Sequence, residues 1–141
     1  MSDINQIFQD ILARLRAQVP FDVYDSDSYD DDQLPSVSGV MKPHLVVWLG
    51  DNETERSGRG RGIVSPVLDP IRYDVIIDAV APTGDAASTL RTKALEALLG
   101  YKPLNSAPMT LDAFRGYSTQ QNDVKPKIYH RACLMRGVGN L

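Results

Sequence analysis

The chain has 141 residues, which is enough for one domain with a buried core. Its 43% hydrophobic and 23% charged residues are ordinary for a globular protein, and a formal net charge of -3 argues against general affinity for nucleic acid. A single cysteine, Cys133, excludes an internal disulfide and a cysteine-based zinc site. There is no bilayer-spanning apolar run and no signal-peptide pattern, so we expect one domain over residues 1–141, made in the cytoplasm and without membrane association.

The first elements follow from apolar spacing. Apolar residues at i, i+3, i+4 and i+7 predict a helix over about 3–18, which Pro20 ends. The short β-forming run 21–24 predicts a strand. The polar run that follows reads as a loop, and six aspartates without a basic residue between positions 22 and 32 are typical of a solvated surface.

A continuous apolar run, HLVVWL at 44–49, predicts a central strand that is buried on both faces or at an interface. We therefore expect Trp48 to belong to the core, with an assembly interface as the alternative. Residues 51–70 are too many for an ordinary connection. They predict a long protruding β-hairpin, with arms at 53–56 and 62–68 and a flexible SGRGRG tip.

Residues 72–103 read as strand, turn, capped helix and stop. Alternation places Tyr73, Val75, Ile77 and Ala79 on one face of a strand, and Asp74, Ile76, Asp78 and Val80 on the other. Pro82 ends the strand, and Thr83 is the expected N-cap of a helix over about 84–99 whose apolar set includes Leu99. Gly100 ends that helix.

The remaining third predicts a strand at 109–117, a polar turn at 119–127 and a last strand at 128–136, followed by a loose GVGNL segment. In the last strand, His130 shares a face with Ile128, Ala132 and Leu134. The predicted fold class is α/β (α+β): a single domain with a mixed, mostly antiparallel sheet packed by two helices.

Chemistry-bearing residues give no catalytic constellation. The two histidines, His44 and His130, lack partner motifs, and HxH, HExxH, DxDxDG and GxSxG spacings are missing from the sequence. Cys133 lies in mid-strand among apolar neighbours, which favours an inert thiol. Asp74 and Asp78 share a strand face, but no feature of the sequence supplies the raised pKa that a catalytic carboxylate pair needs. We expect no catalytic, cofactor or metal site, and no enzyme.

The arginine-glycine run at 58–62 allows three interpretations: contact with an acidic protein surface, a plain flexible loop, or contact with nucleic acid. It does not match a phosphate loop, because no lysine followed by serine or threonine leads into a helix. Charge is separated along the chain, acidic at 22–32 and basic at 56–61 and 125–136. That separation suits head-to-tail self-association, which makes a ring when it closes.

The charged and apolar segments give two groups of candidate binding residues. The candidate assembly-interface residues are Arg56, Arg59, Arg61, Trp48, Asp74 and Asp78. A separate acidic group consists of Asp30, Asp31 and Asp32.

Several segments together resemble the tail-terminator proteins of long-tailed bacteriophages, particularly those of actinobacterial phages. They are FDVYD, HLVVWLGD, YDVIIDAVAPTGDAA and ALEALLGYKPLNSAPMTLDAFRGYS. The resemblance implies a small α/β subunit that assembles into a six-membered ring at the head-proximal end of the tail. Such a ring caps the tail tube, stops its polymerisation and presents a surface to the head connector.

The partners implied are other copies of the chain, the tail tube protein and the connector or stopper protein, with DNA passing through unbound. The acidic group Asp30, Asp31 and Asp32 is then the candidate lining of the channel, because carboxylates repel phosphate. One alternative is another head-tail joining protein, such as a stopper or head-completion factor. Another is a nucleic-acid-binding module that uses the arginine-glycine run, for which affinity would fall steeply with salt.

Overall fold

The computed structural model describes residues 4–29, 36–37, 40–50, 53–54, 70–113, 118–121 and 128–140. Two α-helices, one short 3-10 helix (Ser26–Ser28) and nine strands occur within these residues. The α-helices are α1 (Ile4–Gln18) and α2 (Gly84–Leu98). The strands are β1 (Asp22–Asp25), β2 (Ser36–Val37), β3 (Val40–Met41), β4 (His44–Leu49), β5 (Glu53–Thr54), β6 (Pro70–Ala81), β7 (Thr110–Ala113), β8 (Ser118–Gln121) and β9 (Ile128–Asn140).

Both helices form where the apolar spacing predicts them. The residues that α1 buries are Ile7, Phe8, Ile11, Leu12 and Leu15. The Oγ1 atom of Thr83 accepts a hydrogen bond from the backbone N–H of Ala86 at 3.2 Å, so the predicted N-cap of α2 is confirmed. Asp85 lies in the first turn of α2, where the helix dipole stabilises a negative charge.

The strands form one mixed sheet in the order β1-β4-β6-β9-β7, and β2 and β3 make a separate small pair. Strand β1 runs parallel to β4, whereas the other described pairs are antiparallel, with β5 on β6 and β8 on β9. The long pairing of β6 with β9 extends from Pro70 opposite Asn140 to Ala81 opposite Tyr129. The predicted α+β domain with a mixed, mostly antiparallel sheet and two helices is confirmed.

The sheet has a face covered by the helices, which we call the helix face, and an opposite face. Side chains from α1, α2 and the helix face make the main core; its sheet members include Leu45, Val47, Tyr73, Val75, Ile77, Ala79, Cys133 and Met135. Alternation sends the intervening residues to the opposite face, where Met41, Val46, Val80 and Ile128 form a smaller buried cluster. Strand β4 is therefore buried on both faces over residues 44–47, as predicted.

Close packing on the helix face depends on a glycine. Tyr73 stands directly opposite Gly137 in the β6–β9 register, and its ring covers the glycine backbone. A Cβ atom at position 137 would lie 2.3 Å from Cζ of Tyr73. The phenol fits because glycine has no side chain there.

Four details of the prediction were wrong. Ser36 and Val37, expected within the polar loop that follows the first strand, form β2, because their backbone pairs with β3. The 137–140 segment, expected to be loose, continues β9, because its backbone pairs with β6 and its glycines admit neighbouring side chains. Residues 118–121, expected at the start of a turn, form β8 against β9 despite their polarity, because the pairing is made by backbone groups. Leu99, expected in the apolar set of α2, lies at the helix end and is 55% exposed.

The base of the predicted hairpin lies partly within the described residues. Glu53 pairs with Arg72 and Thr54 with Ile71, so the first arm joins the beginning of β6. The predicted second arm at 62–68 and the SGRGRG tip lie outside the described residues. The protruding hairpin stays a prediction.

Candidate assembly face

Three of the predicted interface residues lie on one face of the sheet. Asp74 and Asp78 are on the opposite face of β6, and Trp48 on β4 is in register with Ile76, the residue between them on that face. Arg56, Arg59 and Arg61 are outside the described part of the chain, as are Asp30, Asp31 and Asp32.

An apolar strip crosses the opposite face. It consists of Trp48, Ile76 and Leu134, which are in register on β4, β6 and β9. Leu134 is buried and Ile76 is half-buried, whereas Trp48 is 38% exposed. The core assignment of Trp48 was therefore wrong: alternation along β4 turns the indole away from the helices, and the smaller cluster on this face contains Val46 but not Trp48.

An ion-pair network borders the strip on one side. Arg136 on β9 donates from Nε to Oδ1 of Asp74 and from Nη2 to Oδ2 of Asp112, both at 3.3 Å. The three side chains are about one-third exposed. Two carboxylates share one guanidinium, so the network carries a net negative charge, although exposed pairs of this kind contribute little to stability.

A histidine-aspartate pair borders the strip on the other side. His130 Nδ1 donates to Oδ2 of Asp78 at 2.8 Å, with both side chains largely buried. The other carboxylate oxygen, Oδ1, is buried and accepts no hydrogen bond within the described structure.

The two aspartates do not form a catalytic pair. They are four residues apart on one strand, a separation of about 13 Å at roughly 3.3 Å per residue. Asp74 binds an arginine and Asp78 a histidine, so each carboxylate has a cationic or donor partner of its own. The two carboxylates are therefore too far apart to act together as the acid and base of a catalytic pair.

The second histidine, His44, is fully buried next to two tyrosines. Its Nδ1 donates to the carbonyl oxygen of Lys42 at 2.7 Å, so Nε2 accepts from the hydroxyl of Tyr29, also at 2.7 Å. Tyr24 contacts the imidazole edge-on, with ring centroids 5.6 Å apart. Burial lowers the pKa of His44 below 6.5, which keeps the ring neutral and suits a structural role.

Sequence reasoning missed the partners of the predicted residues. Alternation alone puts Arg136 on the same face as His130, but the β6–β9 register that places it beside Asp74 is not visible in a single sequence. Asp112 reaches Arg136 from β7, on which a register shift follows Leu111. No pattern in the sequence predicts this register shift.

An apolar centre with a polar, charged border is the usual composition of a protein-binding surface, and tryptophan is frequently its main contributor to affinity. The opposite face, with Trp48 and Ile76 between charged side chains, has this composition. Cys133 is buried on the helix face of the sheet. Burial raises the pKa of its thiol to about 11, so the thiol is not a nucleophile at neutral pH.

In the part of the chain that the structure describes, no three histidine, cysteine, aspartate or glutamate side chains converge as a metal site would need. None of the described helices is both long enough and apolar enough to cross a bilayer. A comparison with models of protein families and a comparison with curated proteins each found no match to this chain.

Proposed function

We propose that this chain is a structural virion protein that acts by binding: a tail terminator that forms a ring, hexameric in the family it resembles. The ring caps the tail tube, stops its polymerisation and joins the tail to the head connector. The resemblance supplies the specific role, and the single structural observation that supports a binding role is the exposed Trp48 within the apolar strip.

The support from Trp48 rests on the cost of exposing it. A large aromatic side chain that is 38% exposed beside Ile76, between an ion-pair network and a histidine-aspartate pair, still has apolar area to bury and can contribute strongly to an interface. Termination also needs a surface that refuses another tube subunit. The unlike charges at its border serve that selectivity, because wrongly matched charges are repelled.

The test is electron microscopy of particles whose gene for this protein is deleted. Over-long tails that are not joined to heads support termination, because tube growth then lacks its stop. Tails of normal length together with leaking, tailless heads contradict termination and favour a stopper or head-completion role instead.

A substitution in the sequence-predicted arginine run probes how the protein assembles. We expect Arg59→Ala/Arg61→Ala to leave the fold unchanged and to weaken assembly, if these guanidinium groups bind acidic partner residues. Circular dichroism checks the fold, and tail length measured by electron microscopy checks the assembly. Joined tails of normal length from that variant would rule out a role for these two arginines.

A further inference from the structure

Residues 99–109, which follow α2, make a rigid loop that we call the leucine loop. The carboxylate of Asp10 accepts from the hydroxyl of Tyr101 at 3.0 Å and from the backbone N–H of Leu104 at 2.8 Å. Inside the loop, Gly100 N–H donates to the carbonyl of Met109, and Met109 N–H donates to that of Tyr101. The loop therefore has a fixed shape without regular secondary structure.

The far end of the loop is fixed to the sheet. The hydroxyl of Tyr73 donates to Oγ of Ser106 at 2.8 Å, and Ala107 N–H donates to the carbonyl of Val138 at 2.8 Å. Binding through a pre-ordered loop loses little conformational entropy, which favours affinity. The leucine loop can therefore serve as a docking element although it contains no helix or strand.

This rigid loop displays apolar side chains. Three large hydrophobic side chains are exposed within the described residues: Leu99 at 55%, Leu104 at 45% and Trp48 at 38%. Two of them belong to the leucine loop and the third to the apolar strip. The loop is held by hydrogen bonds and by the buried side chains of Pro103 and Met109, and both leucines stay exposed.

The leucine loop and the apolar strip have complementary charge. Lys102 is exposed between the two leucines, and the guanidinium of Arg14 lies 4.8 Å from the centre of the Tyr101 ring, so two cations accompany the single carboxylate of Asp10. The strip is bordered by three carboxylates, one guanidinium and one imidazole. Arg72, further along the same face, stands in register with the acidic Glu53. The loop is therefore basic and apolar, whereas the strip is acidic and apolar.

The two surfaces lie on different sides of the sheet. The loop is anchored to α1 and to Tyr73, which points to the helix face, and the strip occupies the opposite face. One copy therefore does not bring its own loop and strip together across its sheet. Two complementary surfaces on different sides join identical subunits head to tail, which is the contact that builds rings.

We propose that the leucine loop of one copy docks onto the apolar strip of a second copy. Leu99 and Leu104 bury against Trp48 and Ile76, and Lys102 approaches the carboxylates of the strip border. The inference rests on the proposed self-assembly and specifies its contact. Its occupant is a second copy of this chain, because the charge and the apolar groups of the loop match those of the strip.

The decisive experiment mixes two blocked variants. Leu104→Asp damages only the loop, and Trp48→Asp damages only the strip. We expect each variant alone to associate at least about 30-fold more weakly than the natural chain, the effect of losing one strongly contributing interface residue. Mixed in equal amounts, they should form a heterodimer and nothing larger, because one intact loop meets one intact strip. Sedimentation velocity measures the species.

A charge variant with a matched control tests the polar part of the contact. Lys102→Glu should weaken association several-fold, because it replaces attraction to the acidic strip by repulsion, and added salt should weaken the association of the variant less than that of the natural chain. Lys93→Glu makes the same change of charge on the exposed side of α2, outside both surfaces, and should leave association unchanged. Equal effects of the two variants would indicate net charge rather than this contact.

Cysteine cross-linking keeps the test informative if association is weak or if the aspartate variants fold poorly. Leu104→Cys and Trp48→Cys proteins, mixed and oxidised, should give a disulfide-linked heterodimer, whereas Lys93→Cys mixed with Trp48→Cys should not. Cys133 is fully buried and does not compete. Thermal unfolding of each variant confirms that it is folded.

The outcomes separate this contact from the proposed ring. If the natural chain assembles while both blocked variants assemble as well as it does, the contact is refuted and the ring stands. Monomers only in the mixture, without a cross-linked heterodimer, also refute the contact. A natural chain that stays monomeric at every concentration, with no cross-link and with normal tails after gene deletion, contradicts both proposals.

Discussion

The two faces of the sheet are built from the same strands, but their side chains differ in burial and in charge. On the helix face, Val75 and Ile77 are completely buried among helix side chains. On the opposite face, the neighbours Asp74, Ile76 and Asp78 are only partly buried; Asp74 is in an ion pair with Arg136, and Asp78 is hydrogen-bonded to His130. Alternation along a single strand thus separates the side chains that fold the protein from those that are available to bind.

The difference follows from what each kind of contact contributes. Complete burial of an aliphatic side chain stabilises a fold by a few kcal/mol, whereas a partly exposed ion pair stabilises it by about 1 kcal/mol or less. The ion pair of the opposite face therefore adds little to folding stability. The exposed apolar group of this face, Trp48, keeps 38% of its surface accessible, and the burial energy of that part is gained only when a partner covers it.

Two adjacent isoleucines test this comparison most strongly. Ile77→Ala removes a fully buried side chain from the helix face and should reduce the free energy of unfolding by about 3 kcal/mol. Ile76→Ala makes the same change on the opposite face, where the side chain is half-buried, and should cost about 1 kcal/mol. Urea denaturation measures both, and equal losses would remove the distinction between the faces.

A glycine on the helix face gives the next largest effect. Gly137→Ala places a methyl group 2.3 Å from the ring of Tyr73, so the ring or β9 must move, at a cost of about 2 kcal/mol. In the background of Tyr73→Ala, the same glycine substitution should cost much less, because the clash is gone. A double-mutant cycle by thermal unfolding checks this, and additive losses would show that the aromatic ring is not the obstacle.

The smallest effect is a change of pH, because it adds one proton and removes no atom. The folded-state pKa of His44 lies below its unfolded value of 6.5, so the unfolded chain binds the proton more readily. Stability is then full above pH 6.5 and decreases as the pH falls through the folded-state pKa. Denaturation curves of His44→Gln, compared with the natural chain, should lack this part of the pH dependence. An unchanged profile would show that other groups cause the loss.

Much of the fold could be predicted from the sequence, because most helices and strands are indicated by patterns among neighbouring residues. The apolar spacing of α1, the Thr83 cap of α2 and the HLVVWL run of β4 each depend on neighbouring residues. Strand β8 could not be predicted, since STQQ joins the sheet through backbone bonds to β9 and not through its side chains. The extension of β9 through 137–140 was hidden for a similar reason: its glycines look like a loop until Tyr73 is placed over one of them.

Only part of the candidate site could be predicted: the strand faces on which its residues lie, but not the partners of those residues. Alternation puts Asp74 and Asp78 on one face of β6, and apolar content identifies β4, but whether Trp48 points into the core depends on where the helices lie. The partners Arg136 and His130 depend on the pairing of strands that are more than fifty residues apart in sequence. Such register is fixed by the assembled core, and a single sequence does not encode it in any local pattern.

The position of β9 within the sheet has a consequence for how the protein is made. Strand β9 lies between β6 and β7 and also pairs with β8, although it comes last among the described strands in the chain. Until the ribosome has released residues 128–140, β6 has no partner on one side, and β7 and β8 have no place in the sheet. Such long-range pairing folds slowly. A nascent chain truncated before residue 128 therefore exposes unpaired strand edges, which makes it a substrate for chaperones and proteases rather than a competitor in assembly.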